Sequence, residues 1–298
     1  MNATPAFAHL DSEVGGLAAQ PAAERIRFIR ADRWIGFPRA ELGVNLLRGL
    51  IDHPSCARMP CLLIHGDSGM GKTKIVERFR RDFPDDFDIQ AGRAQRPVLI
   101  MEMPPGPSEQ RFYRQMLAVL NAPQHGYERL DVLEQIALRL LHAINPRMLI
   151  IDEVHNLVAG TPREQRRTLN LLKFLANQLR IPLVCLGTDD ALRAMQSDPQ
   201  IASRFEPFHL PRWRADVAFR SLLATLETVL PLRKPSNLEQ KSMVECILGH
   251  SRGITGNVVR LLTRAAVEAI LNGQERIEAT ALERGLQPPS IERKHSML

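Results

Sequence analysis

Gly66-Asp67-Ser68-Gly69-Met70-Gly71-Lys72-Thr73 fits the pattern GxxxxGK[ST] at every fixed position, and nothing else in the chain constrains its fold so strongly. The apolar run Cys61-Leu62-Leu63-Ile64-His65 precedes it, and Thr73 to Phe83 follows as a helix stopped near Pro84. In a strand–loop–helix setting the glycines let backbone N–H groups turn inward around phosphates, and the helix N-terminus adds a field that favours an anion. Lys72 is then expected to reach the β- and γ-phosphates of ATP, and the Thr73 hydroxyl to ligate Mg²⁺. A chance glycine turn before a helix is the plainer alternative, and the flanking strand and helix argue against it.

Asp152-Glu153 closes a further apolar run, Met148-Leu149-Ile150-Ile151. A carboxylate at the C-terminal edge of a strand beside a P-loop is where Mg²⁺ takes its second protein anchor, which assigns Asp152. Glu153, one residue on, is placed to orient and polarise an attacking water. Thr188, in Leu186-Gly187-Thr188-Asp189, has two readings: a polar sensor between that water and the γ-phosphate, or a helix cap. Arg204, in Ser203-Arg204-Phe205, also has two. It is either an arginine given to a neighbouring subunit's phosphates or a solvated residue at a helix end.

From Cys61 onward apolar strands alternate with helices. Further strands are predicted at Pro97–Met101, Met148–Ile151, Pro182–Leu186 and Pro207–Leu210, with helices at Ser108–Leu120, Tyr127–Ile144 and Arg163–Arg180. Nearly continuous apolar strands argue a parallel sheet covered on both faces. After Pro211 only helices are predicted: Arg214–Leu230, Leu238–Gly249, Thr255–Leu271 and Ala279–Gly285. The expected fold class is thus α/β, a P-loop NTPase core with a small all-helical domain behind it. The expected divisions are residues 1–55, a flexible tail (to about 23) and a helical segment; 56–211, the core; and 212–298, the helical domain and a C-terminal tail.

Composition narrows the partners. Net charge is +6 with a pI near 9.5, which favours polyanions without identifying one. Aromatic residues make up only 5%, poor support for a base-stacking platform. The four cysteines, Cys56, Cys61, Cys185 and Cys246, lack CxxC spacing, and Cys61 and Cys185 lie in strand-like runs. Buried free thiols in a reducing, cytoplasmic compartment are expected, with no membrane span and no secretory signal.

The P-loop, the acidic pair, Leu186-Gly187-Thr188-Asp189, Ser203-Arg204-Phe205 and the helical end together resemble the layout of AAA+ ATPases. Arg33-Trp34-Ile35-Gly36-Phe37-Pro38-Arg39-Ala40, Ile151-Asp152-Glu153-Val154-His155-Asn156-Leu157 and Gly253-Ile254-Thr255-Gly256-Asn257 look like the transposon-encoded regulators of the TniB and TnsC type, TniB above all, over about residues 24–285. The resemblance implies a five-stranded parallel sheet with the fourth strand between the P-loop and Asp152 strands. It implies Arg204 as a finger acting in trans, and Ile35 and Phe37 near the adenine; for Trp34 an apolar staple on the core is as good a reading. It further implies DNA-facing residues within Pro104–Arg129, where Arg111 and Arg114 share a helix face. One departure is visible. Related origin-recognition ATPases carry a sensor arginine fourth in a Gly-Asp-Ala-Arg run, whereas here Arg260 follows Gly256-Asn257-Val258-Val259 one place late, a helical rotation of about 100°.

What the resemblance implies for function is ATP hydrolysis coupled to assembly, as a ring or helical filament of identical subunits, on double-stranded DNA. The assembly hands a target site to a DDE-type transposase, with a TniQ-like target-selection protein as a further partner. Two other expectations stand beside it: a helicase loader or replication initiator, and a scaffold locked by ATP with incidental hydrolysis.

Overall fold

A computed structural model describes residues 7–88 and 93–284. In chain order its first elements are α1 (Ser12–Ala18), α2 (Ala22–Arg30), α3 (Pro38–Ile51), β1 (Cys61–His65), α4 (Lys72–Arg80), β2 (Asp86–Asp88), β3 (Arg93–Gln95) and β4 (Val98–Glu102). There follow α5 (Glu109–Val119), α6 (Leu130–Ile144), β5 (Met148–Asp152), a 3₁₀ turn (Val154–Ala159), α7 (Pro162–Leu179), β6 (Leu183–Gly187), α8 (Asp189–Gln196), α9 (Pro199–Ala202) and β7 (Phe205–His209). The last four are α10 (Val217–Thr228), α11 (Lys241–Ser251), α12 (Thr255–Leu271) and α13 (Ala279–Arg284). They divide into two compact units, Pro38–Pro211 and a second made of the chain up to Phe37 with the chain from Arg212.

The first unit is built on a five-stranded sheet in the order β4-β5-β6-β1-β7. All its pairings are parallel, so β6, fourth of these strands along the chain, lies between β1 and β5 as expected. Burial follows strand position: β1, β5 and β6 are buried at all five residues, while the edge strands β4 and β7 expose some. Pro207 sits on β7, where an edge strand tolerates its missing N–H. Leu149, Ile151, Leu183 and Cys185 pack on one side with Phe112, Met116, Leu172 and Leu175 from α5 and α7. Cys61 and Cys185 are buried free thiols, and burial pushes both thiols up.

The second unit is helical. Leu222, Leu223 and Leu226 of α10, Val244 and Ile247 of α11, and Leu262, Ala265 and Ala269 of α12 form its core with Ile29 of α2. A buried Arg25, 1% exposed, joins its segments. Its Nε donates to the Pro231 carbonyl at 2.9 Å, and its two terminal nitrogens donate to the two carboxylate oxygens of Glu275. Burial alone pushes the Glu275 carboxyl up, but the hydrogen bonds and charge of Arg25 outweigh it and hold the group below the usual range. Removing one partner of such a pair costs about 3–5 kcal/mol, because the other charge stays buried.

Two features depart from expectation. Part of the expected mobile tail, residues 1–23, is helix α1, whose Val14 and Ala18 are buried. A short antiparallel hairpin, β2 with β3, follows α4. Residues 1–6, 89–92 and 285–298, including the expected C-terminal tail and the Gly285 end of the last helix, lie outside the described residues.

Candidate nucleotide site

β1 delivers the chain to the P-loop at the C-terminal edge of the sheet. Gly66 has φ +147° there, and a Cβ on it would stand 2.5 Å from the Leu210 carbonyl oxygen, so conformation and space both demand glycine. Gly71, at φ +97°, turns the chain into α4 as its N-cap and offers no side chain to the first N–H groups of the helix. Other helices of this unit are capped from within: Ser108 accepts the Arg111 N–H, and Thr161 and Glu164 form a capping box on α7. At α4 alone among these three, the orphan donors are left to an anion.

Lys72, Thr73, Asp152 and Glu153 come together there. Lys72 Nζ donates to the carbonyls of Gly66 and Asp67, at 2.8 and 2.9 Å, and so bridges the loop. Burial lowers the Lys72 pKa, while Glu153, Asp152, Asp67 and Asp189 pull it back toward the charged form. Thr73 Oγ1 donates to Asp152 Oδ2 at 2.8 Å, so the two expected Mg²⁺ ligands already face each other. Asp152, 8% exposed, also accepts the Glu153 N–H at 2.7 Å through Oδ1. Ser68 and Gly69 are exposed, whereas the Met70 side chain is 2% exposed, leaving Met70 only its backbone to offer a phosphate.

Glu153 is held at φ +56°, a left-handed conformation that an ordinary side chain adopts at a cost. The bend lifts its carboxylate away from the strand, and the side chain is half exposed. His155 Nδ1 lies 3.1 Å from Glu153 Oε2 but without hydrogen-bond alignment. Asn156 Nδ2 donates to the Met103 carbonyl at 2.9 Å, and the Met103 N–H to the Asp152 carbonyl at 2.8 Å. These bonds fix the turn that carries Glu153.

Thr188 stands at the N-cap position of α8, yet its side chain caps nothing. Its Oγ1 is buried without a hydrogen-bond partner among the described residues. Leaving a hydroxyl so costs about 1–3 kcal/mol. The hydroxyl therefore does not act as the cap of α8.

Arg204 lies at the other end of the sheet. Its carbonyl accepts the Cys61 N–H at 3.1 Å, and Phe205 pairs with Cys61, which places it at the N-terminal edge. Five residues of strand separate that edge from Gly66, about 16 Å, farther than an arginine side chain extends. Its Nη1 donates to Asn177 Oδ1 at 2.7 Å.

Of the remaining expected residues, Ile35 and Phe37 pack on the core of the helical unit, Phe37 edge-on to Trp213 at 5.0 Å. Arg260 is exposed on α12, two residues past the buried Val258. Arg111 and Arg114 lie on α5, but each is engaged: Arg111 donates to the Pro105 carbonyl at 3.1 Å and Arg114 to the Gly126 carbonyl at 2.7 Å.

A five-stranded parallel sheet with order β4-β5-β6-β1-β7, a P-loop after β1, an acidic pair after β5 and a polar residue after β6 define the AAA+ class of P-loop ATPase. Solved structures share this fold. The chain is similar to the *Aeropyrum pernix* ORC1 protein in complex with DNA (TM-score 0.60, 16% identity, 87% of this chain and 68% of that one). It is also similar to the *A. pernix* ORC2 protein in its ADPNP–ADP complexes (0.61, 17%, 87% and 70%) and to a Walker-type ATPase of *Pyrococcus abyssi* (0.57, 13%, 87% and 75%). No curated protein matches the chain. The family model for the bacterial TniB protein matches residues 25–215, and the chain belongs to that family.

Proposed function

We propose that the chain binds ATP with Mg²⁺, hydrolyses it, and uses the cycle to assemble on double-stranded DNA as a regulator of transposition that engages a DDE-type transposase. The observation that carries the ATPase part is the convergence of Lys72, Thr73, Asp152, Glu153 and Thr188 at one edge of the sheet, with a helix N-terminus left uncapped. Family membership supports the transposition part.

The residues fit the cofactor. Thr73 and Asp152 would hold Mg²⁺, which when bound neutralises charge on the β- and γ-phosphate oxygens. The N–H groups of Gly69, Met70, Gly71 and Lys72 would line the phosphates, with Asp67 and Ser68 shaping the turn. Lys72 would exchange its two carbonyl partners for phosphate oxygens. Glu153 would accept a hydrogen bond from the water and hold its lone pair toward the γ-phosphorus; Thr188 Oγ1 would fix the other side of that water. Arg204, at the opposite edge, can serve only a neighbouring subunit's nucleotide, so full activity needs an assembly of copies.

The direct test is Lys72→Ala. Loss of a charge-assisted contact worth about 1.5–3 kcal/mol predicts nucleotide affinity about ten- to a hundredfold weaker. DNA association should fall with it. Unchanged nucleotide affinity in an equilibrium titration would remove the basis of the ATPase assignment.

DNA contact is assigned to the surface around α5. Each of Arg111 and Arg114 has guanidinium N–H groups beyond the one bound to a loop carbonyl, although Arg114 also lies 3.8 Å from the Glu128 carboxylate. With both replaced by alanine, the log–log salt dependence of DNA binding should flatten by about two units. An unchanged slope would move the DNA surface elsewhere and leave the ATPase assignment standing.

A further inference from the structure

His65, Asp189 and His209 form a cluster outside the proposed nucleotide contacts. Each ends or begins an element at the C-terminal edge of the sheet: His65 is the last residue of β1, His209 the last of β7, and Asp189 the first of α8. His65 and His209 are register partners across β1 and β7, so neighbouring parallel strands bring their rings together. The rings stack with centroids 4.8 Å apart and planes 19° from parallel. His65 Nδ1 lies 2.8 Å from Asp189 Oδ1, and one ligand atom from each of the three residues falls within 4.8 Å of the others.

We propose that these three side chains bind a divalent transition-metal ion of the borderline class, with Zn²⁺ the best fit. Two imidazole nitrogens and one carboxylate oxygen are a three-ligand set that leaves a position for water. Zn–N and Zn–O bonds of about 2.0–2.1 Å put tetrahedral ligand atoms about 3.3 Å apart. The spacings here bracket that value, so side-chain shifts on the order of 1 Å would close the site. His65 is 6% exposed and fixed on a central strand, while Asp189 and His209 are exposed and can move.

The donor types also separate this site from the one at Thr73 and Asp152. Mg²⁺ takes oxygen ligands and sheds water reluctantly, so the hydroxyl–carboxylate pair suits it and the imidazoles do not. Imidazole suits the later transition metals, Zn²⁺, Cu²⁺ and Ni²⁺ among them; Cu²⁺ binds tightest in raw affinity, and a tetrahedral site with one open position suits Zn²⁺. Bound metal would tie the residue before Gly66 to the residue after Thr188, joining the start of the P-loop to the proposed sensor through one ion. The site stands or falls independently of the hydrolytic roles.

The experiment uses the metal-stripped full chain without nucleotide or Mg²⁺, titrated with Co²⁺ and Zn²⁺. One equivalent of Co²⁺ should bind with visible d–d bands of a nitrogen–oxygen set and no thiolate charge-transfer band, and Zn²⁺ should raise Tm. His209→Ala should weaken binding at least tenfold and abolish the Tm shift. Asp189→Asn provides a second variant with its side-chain volume kept and should also weaken binding. Asp152→Asn should keep both signals. The proposal is overturned by absence of stoichiometric binding, by a thiolate signature, by affinity in either cluster variant unchanged from the unaltered chain, or by loss of the signal in Asp152→Asn.

Discussion

Glu153→Gln is expected to keep ATP and Mg²⁺ binding while hydrolysis falls by about 10²–10⁴-fold, the range for a positioned general base. The substitution preserves the side chain's size and removes only its charge. Thr73 and Asp152 keep their mutual 2.8 Å contact, and Lys72 keeps its place over the loop, so the proposed nucleotide and metal contacts survive. The backbone at φ +56° is unaffected, and the N–H of residue 153 still donates to Asp152. Assemblies loaded with ATP should therefore persist on DNA far longer than those of the unaltered chain. Single-turnover hydrolysis measured beside nucleotide affinity separates the two effects. Lost affinity with the lost turnover would show that Glu153 helps to hold the cofactor, and normal turnover would remove it from the reaction.

The sheet was legible because its central strands are short and almost wholly apolar. Met148–Ile151 and Leu183–Leu186 alternate with helices, and such strands can only be buried on both faces. The β2–β3 hairpin was not, since Asp86-Phe87-Asp88 and Arg93-Ala94-Gln95 lack an apolar run. Helix α1 was missed for a related reason. Its Gly15-Gly16 lowers local helix propensity, and its place is set by burying Val14 and Ala18. Helix propensity is easily overridden where packing supplies the stability.

The site divides in the same way. Glycine spacing identified the P-loop because a local backbone shape demands it, and Asp152 followed because a strand end is a local feature. Thr188 has two readings in the sequence, and that its side chain caps nothing in α8 depends on local geometry that spacing does not reveal. The His65–Asp189–His209 cluster escaped notice because it depends on β1 pairing with β7, strands separated by most of the core. A histidine directly before Gly66 and another closing the last strand were the available signal, meaningful only once the register is known. For Arg111 and Arg114 the shared helix face was right, but the carbonyls of Pro105 and Gly126 that each engages come from loop geometry no spacing reveals.

Arg204→Ala should lower hydrolysis by about 10³-fold or more, the magnitude of an arginine finger, while ATP binding by isolated subunits stays near normal. The reason is position. Arg204 joins the N-terminal edge of the sheet through its bond with Cys61, whereas Gly66 and the phosphate-facing residues leave the C-terminal edge. So placed, its side chain lies too far from its own subunit's P-loop to add to nucleotide affinity there, and the proposed role is one across a subunit boundary. The loss of its bond to Asn177 is a surface change, which typically stays within about 0.5 kcal/mol of stability. Assembly on DNA should weaken, because a contact between one subunit's arginine and the next subunit's γ-phosphate would disappear. Here the variant parts from Glu153→Gln: both lack turnover, but Glu153→Gln assemblies should last longer on DNA and Arg204→Ala assemblies shorter. Mixing Arg204→Ala with Glu153→Gln subunits sharpens the test. Each is inactive alone, yet an Arg204→Ala subunit keeps its own Glu153 and can receive the intact Arg204 of a Glu153→Gln neighbour. Hydrolysis recovered in the mixture to a fraction of the unaltered rate is the expected result, and both partners can bind ATP and enter the assembly. Normal DNA-stimulated hydrolysis by Arg204→Ala alone would end the trans assignment, and so would a mixture no more active than its parts despite verified co-assembly.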